Sequence, residues 1–249
     1  MSKKNRDRKY GAGEGKVGPA NEMTKFYWIL GIVAIAGVAI VSWSVGSKAM
    51  SSAVSAPIEL PELAAAELMD LTHAVTLGDA NAPIRILEFA DFQCPGCGQF
   101  AREVKPLIQA EFVATGAAKF EYYTFPLVSI HPHAFLAARA SLCADDQGKF
   151  WEYHDILFRN QGRWSTATSA AGTFDDYAEE LGLDTDAFSD CVNSDKHADV
   201  VTANMELGYQ LQIGGTPTVL VSQGQGIGRR VAPNIEAVRE AVAAIQSGG

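Results

Sequence analysis

The chain of 249 residues is 47% hydrophobic and 20% charged, which gives it the core of one or two ordinary domains and excludes a wholly disordered chain or a collagen-like fibre. Its net charge of −9 is unevenly spread: residues 1–25 hold seven basic against three acidic residues, a net +4, whereas the body from residue 51 onward carries −14. Such a body lacks the basic patches that neutralise phosphates, so no nucleic-acid partner is expected, nor binding of the body itself to anionic lipid.

Residues 1–25 read as a basic tail without periodicity. Residues 26–47 carry no charge, and these 22 residues would make about 33 Å of helix, enough to cross a hydrocarbon core of about 30 Å. Tyr27, Trp28 and Trp43 stand near the ends of the run as interfacial aromatics do. The basic tail before the span puts the N-terminus in the cytoplasm and the body outside. A cleaved signal peptide is the alternative; its apolar core would be about 7–15 residues, although a small-residue stretch does follow the run. Either reading exports the body.

Residues 48–72 form a Ser/Ala-rich linker and a short amphipathic helix, 60–71, with Pro61 in its first turn. A short strand follows at Ala74–Thr76, then a turn over Gly78–Pro83. The β-prone run Ile84–Phe92 predicts a buried strand. A helix is expected from Cys94 to about Val113, kinked at Pro106. Lys119–Phe125 reads as a strand. A long helical region from about 131 to 211 is expected to break near Gly162–Thr173 and Gly182. A strand at Pro217–Ser222, a hairpin turn at Gly224–Gly226, a strand through Arg229–Ala232 and a helix Ile235–Gln246 capped by Asn234 complete the chain. The pattern predicts an α/β fold over residues 73–249 with a large helical insertion.

Four cysteines are present: Cys94, Cys97, Cys143 and Cys191. Cys94-Pro95-Gly96-Cys97 follows a strand and opens a helix. Proline suits the first helical position, which places Cys94 at the N-cap, beside unpaired N–H groups and the positive end of the helix dipole. A thiolate is stabilised there, with a pKa of roughly 3.5–7.5 against about 8.5 when free. Cys94 is therefore the expected reactive thiol and Cys97, one turn inside, the resolving one. Structural zinc is not expected, because there is no second close cysteine pair. The small ring of a Cys-X-X-Cys bond also makes a poor staple, which favours redox use. Glu88 sits in the middle of the apolar strand, where a carboxylate is costly without a task; exchanging protons with Cys97 would be one. Gly214-Gly215-Thr216-Pro217 leads into the last sheet segment, and a cis bond at Thr216–Pro217 would present the Thr216 backbone to an extended substrate. His73, His131, His133, His154 and His197 show no metal-ligating spacing, so no metal is expected. Phe150, Trp151, Leu157 and Phe158 read as core of the insertion, and no cofactor-binding loop is evident.

Together, the strand with Glu88, Cys94-Pro95-Gly96-Cys97, the helical insertion with Phe150-Trp151 and Leu157-Phe158, and Thr216-Pro217 resemble the DsbA-like branch of the thioredoxin superfamily, over about residues 73–246. The resemblance implies a thioredoxin fold interrupted by a helical domain, a nucleophilic Cys94, a resolving Cys97, and Pro217 in cis beside them. Oxidases of this type carry His where this chain has Gly96, which points to a weaker oxidant. The dimerisation domain of the related isomerases has no room between the span and the fold. Cys143 and Cys191, on helices of the insertion, either pair as a structural disulfide in an oxidising compartment or pack as two small buried hydrophobes.

The expectation is a membrane-tethered, extracytoplasmic thiol–disulfide oxidoreductase that introduces disulfides into reduced or unfolded exported proteins without a cofactor. By resemblance, a membrane partner of the DsbB or vitamin K epoxide reductase type would reoxidise it. Two other readings stand beside this one: a reductase of the same fold, and a tethered binding module or chaperone for cysteine-containing clients.

Overall fold

The computed structural model describes Tyr27, Trp28, Leu30 and Ile32, residues 53–224, Gly226 and residues 228–248. The chain divides into two units, residues 1–50 and 51–249. In the first unit the four described residues are helical and exposed. The rest of the expected span over 26–47 lies outside the described residues, and among the described residues no helix is long and apolar enough to cross a membrane.

The second unit is built on a mixed sheet. In chain order its elements are α1 (Ala65–Leu71), β1 (Val75–Leu77), β2 (Ile84–Ala90), α2 (Pro95–Glu103), α3 (Lys105–Ile108) with a π-helical turn at Gln109–Val113, β3 (Ala118–Thr124), α4 (Ala134–Asp145), α5 (Phe150–Arg159), α6 (Gln161–Trp164), α7 (Ala171–Glu180), α8 (Thr185–Asn193), α9 (Ala198–Gln210), β4 (Thr218–Gln223), β5 (Arg229–Val231) and α10 (Ile235–Gln246). Among the described residues the sheet has five strands in the order β1-β3-β2-β4-β5. β2 runs parallel to β3 and antiparallel to β4, so it is central and paired on both edges. That explains its nearly unbroken apolar sequence, since both of its faces are covered. Along it, Ile84 and Ile86 join a cluster with Phe100, Val238 and Val242, whereas Leu87 and Phe89 join the larger core shared with the insertion.

Several expected boundaries shift for identifiable reasons. The first helix begins at Ala65 rather than near residue 60, because Pro61 precedes it and the Glu67 carboxylate accepts the Ala64 N–H at 2.8 Å. The helix after Cys94 breaks at Val104, two residues before Pro106, whose missing N–H cannot serve the Arg102 carbonyl. The insertion breaks more often than expected. One additional break lies at residues 146–149, where Gly148 has φ +70°, and another at 194–197, where His197 has φ +63°. Asn234 caps α10 as expected, its side chain accepting the Ala237 N–H at 2.9 Å.

The insertion folds against α4, whose residues are buried over almost their whole length. Arg139 lies in this helix with no exposure. Its guanidinium donates to the carbonyls of Lys196, Val54, Val192, Cys191 and Ser194 at 2.7–3.2 Å, so the charge is fully hydrogen-bonded without a carboxylate. Cys143, one turn further on, is disulfide-bonded to Cys191 of α8, with Cα atoms 5.9 Å apart and a sequence separation of 48. The pairing alternative is the one realised. Phe150, Leu157 and Phe158 are buried and Trp151 packs against them, as core residues of the insertion.

Candidate active site: a cysteine pair at a helix start

Cys94 and Cys97 are free thiols at the C-terminal end of the central strand. Cys94 is the N-cap of α2, with extended backbone (φ −71°, ψ 123°), and Pro95 occupies the first turn. Cys94 is partly exposed, and Cys97 is fully buried. The loop into the helix is tied at each step: the Cys94 N–H donates to the Asp91 carbonyl at 3.0 Å, and the Gly98 N–H to the Cys94 carbonyl at 3.1 Å.

The peptide bond Thr216–Pro217 is cis. The Cys94 thiol donates to the Thr216 carbonyl at 3.4 Å. Gly96 fits against the same proline: a Cβ there would come within 3.3 Å of Pro217 Cδ and 3.7 Å of Cys94 Sγ. A Cβ at position 96 would be tight against the proline ring and in ordinary contact with the Cys94 sulfur.

The two thiols differ sharply in acidity. Cys94 is lowered to about 5, first by the hydrogen bond from the Cys97 thiol, against the opposing effect of burial. The Thr216 side chain and the N–H groups of Cys97 and Gly96 add to this. The helix start therefore contributes, but less than the neighbouring thiol does. Cys97 is pushed up by burial and by the negative charge that Cys94 and Glu88 acquire. The Asp91 N–H donates to its sulfur at 3.4 Å.

Glu88 is buried in β2, in register with Tyr122 of β3 and Val219 of β4. Burial raises its carboxyl to about 8; the Lys105 ammonium opposes this and Cys94 adds to it. Its Oε1 has no hydrogen-bond partner among the described residues, and neither does the Tyr122 hydroxyl. Lys105, also buried, reaches Asp155 of α5 at 2.6 Å and lies 5.0 Å from the centre of the Trp151 ring. Burial pushes the Asp155 carboxyl up, but hydrogen bonds from His154 and Lys105 outweigh it and hold Asp155 at about 2.

Several residues that the sequence did not single out position the pair. Asp91 is a buried carboxylate that accepts the N–H groups of Gln93 and Leu127 and contacts His131 Nδ1 at 2.7 Å, fixing the loop beside the thiols. Gln161, from the insertion, donates to the carbonyls of Phe92 and Cys94 at 2.7 and 2.9 Å. Gln93 bridges to the Ser165 carbonyl and the His133 N–H. A polar residue at the end of an apolar strand was the one signal for Asp91. Gln161 carried no signal, because its role depends on how the insertion packs. Of the histidines, His131, His73 and His154 pair with Asp91, Asp145 and Asp155 respectively.

The thioredoxin family model matches residues 71–242. A segment of a Na(+)/H(+) antiporter, NhaA 3 of Salinispora tropica, is 33% identical over 165 residues, covering 66% of this chain and 24% of the antiporter. This chain therefore spans about a quarter of that relative. Disulfide bond formation protein D of Bacillus subtilis is 29% identical over 150 residues, covering 59% of this chain and 66% of that protein. The crystal structure of oxidised BdbD from Bacillus subtilis superposes with a TM-score of 0.62 at 24% identity, over 79% of this chain and all of that one. With its mixed sheet, its cysteine pair at the end of the central strand and a family match over most of its length, this chain belongs to the thioredoxin family.

Proposed function

We propose that this chain is an extracytoplasmic thiol–disulfide oxidoreductase of the DsbA type, held at a membrane by residues 26–47 and acting as a donor of disulfides to reduced exported proteins. The observation that carries the reading is the division of acidity within one pair: Cys94 at about 5 and partly exposed, Cys97 raised and buried. In the oxidised protein a substrate thiolate attacks Cys94 Sγ and the bond to Cys97 breaks. Cys97 leaves as a poorly stabilised thiolate and takes a proton from Glu88, which is still protonated at neutral pH. A second substrate thiolate then attacks the substrate sulfur and expels Cys94, whose low pKa makes it a good leaving group. Two electrons pass from the substrate to the protein, and the substrate keeps the disulfide. The Thr216 carbonyl beside Cys94 and the cis Pro217 form the edge against which an extended substrate would lie.

The name of the Bacillus subtilis relative, disulfide bond formation protein D, supports the oxidase direction. The uncharged run and the basic tail before it support the anchor. A quinone-linked membrane protein of the DsbB or vitamin K epoxide reductase type is the proposed oxidant for the spent dithiol.

The test is the reduction potential of Cys94/Cys97, measured in glutathione buffers together with turnover of a reduced client. A potential more oxidising than about −200 mV, with turnover abolished by Cys94→Ser, is the expected result. A value near or below about −270 mV would make the protein a reductase. Undiminished turnover by the Cys94→Ser variant would overturn the mechanism.

A further inference from the structure

A second sulfur-containing cluster lies in the insertion, apart from Cys94 and Cys97. Cys143 sits in α4, and Asp146 closes that helix. Cys191 sits near the end of α8, and His197 stands at the start of α9. The sulfurs of Cys143 and Cys191 and one ring nitrogen of His197 all lie within 4.8 Å of one another. Asp146 Oδ2 is 2.8 Å from His197 Nε2 and 3.7 Å from Cys191 Sγ. The fold thus gathers two sulfurs and an imidazole around one point, with the Asp146 carboxylate beside Cys191 and His197.

This arrangement does not depend on the disulfide alone. Arg139 precedes Cys143 by one turn and binds the carbonyls of Cys191, Val192, Ser194 and Lys196, so the segment carrying Cys191 and leading to His197 is tied to α4 through a separate set of bonds. Reduction would release the sulfurs from each other without releasing the two backbones.

We propose that the reduced form of Cys143 and Cys191, together with His197 and Asp146, binds a zinc ion, so that the insertion has two alternative staples: a metal chelate when reduced and a disulfide when oxidised. Zinc takes four ligands in a tetrahedron from thiolate, imidazole and carboxylate donors. Its bond lengths place neighbouring ligand atoms roughly 3.3–3.8 Å apart; Asp146 Oδ2 already lies 3.7 Å from Cys191 Sγ and 2.8 Å from His197 Nε2, and the two sulfurs, bonded to each other in the oxidised protein, must move apart on reduction to join them. Two thiolates, one carboxylate and a neutral imidazole around Zn²⁺ leave a net charge of −1. The Arg139 guanidinium and the Lys196 ammonium lie beside the site to balance it. Lys196, 2.9 Å from Asp146 Oδ2, has a half-exposed side chain and can swing into solvent at little cost.

The two states interconvert by a balanced two-electron step. A small-molecule or protein disulfide accepts two electrons from the zinc-bound thiolates. Its own S–S bond breaks to give two thiolates, which take up two protons from solvent. The Cys143–Cys191 bond forms, Zn²⁺ leaves to water, and Asp146 returns to His197.

The experiment uses the full-length chain carrying Cys94→Ser and Cys97→Ser, which removes the other dithiol, reduced with a phosphine that contains no thiol. Titration with Co²⁺ should give one ion per chain with thiolate charge-transfer and tetrahedral absorption, displaced by one equivalent of Zn²⁺. The oxidised chain should give none. His197→Ala and Asp146→Asn should each weaken binding at least tenfold, since even the outer partners of metal ligands are worth 10–100-fold. Absence of the thiolate band, or binding indifferent to both substitutions, overturns the site. Should a substituted chain fail to fold, alkylation of Cys143 and Cys191 in the otherwise unaltered reduced chain decides. Zinc should slow both at least tenfold, and equal rates with and without zinc overturn the proposal.

Discussion

Cys94 and Glu88 have pKa values displaced in opposite directions, and each displacement has a measurable consequence. Cys94 titrates near 5 instead of 9. The stability this lends the reduced form is complete above pH 9, shrinks as the pH falls, and is gone below pH 5. The oxidised form has no thiol at that position. Urea denaturation of the two forms across pH 5–9 should therefore show the reduced form gaining on the oxidised form as pH rises; a difference that stays flat would contradict the assignment. Glu88 titrates near 8 instead of 4.5, because burial disfavours its charge. Its contribution is full below pH 4.5 and is lost as the pH climbs through 8. Glu88→Gln removes that loss, so the variant should gain on the parent over pH 4.5–8, by on the order of 5 kcal/mol. A constant difference across that window would place the carboxyl in a hydrated site.

At the scale of elements, the insertion is held to the site and to itself by different means. Gln161 and Gln93 connect it to the backbone around Cys94. Within it, Arg139 serves five carbonyls, and the Cys143–Cys191 bond closes 48 residues, worth about 4 kcal/mol on the chain-entropy view. Arg139→Met would leave several buried carbonyls without donors. It should cost about 3 kcal/mol or more in thermal or urea unfolding, even with the disulfide intact. A loss under about 1 kcal/mol would mean that water replaces the guanidinium. Gln161→Ala tests the connection to the site: it should slow thiol exchange severalfold while leaving the melting temperature within a few degrees, and unchanged exchange would make that contact incidental.

The whole molecule joins a basic, uncharged-run N-terminus to an acidic body. If residues 26–47 anchor the chain, full-length protein should pellet with membranes and resist extraction by high salt, while a chain lacking residues 1–50 should stay in the supernatant. Release of the full-length chain by salt alone would replace the anchor with a peripheral contact.

Local patterns determined a good deal. The apolar run before Cys94, proline at the first helical position, and the Asn234 cap depend on neighbours within a few residues, so the central strand, the start of α2 and the last helix were legible from the chain alone. The placement of Cys94 and Cys97 at a helix start was legible for the same reason, since strand, proline and helix start are contiguous. The choice between a bond and two free thiols at Cys143 and Cys191 was not, because it depends on the approach of two helices 48 residues apart. Nor were the breaks at Gly148 and His197, the Gln161 contact to the active loop, or the meeting of His197 and Asp146 with the second cysteine pair. Those rest on long-range packing around Arg139 and the sheet. Spacing along the chain carries no record of a contact that forms only once distant segments are brought together.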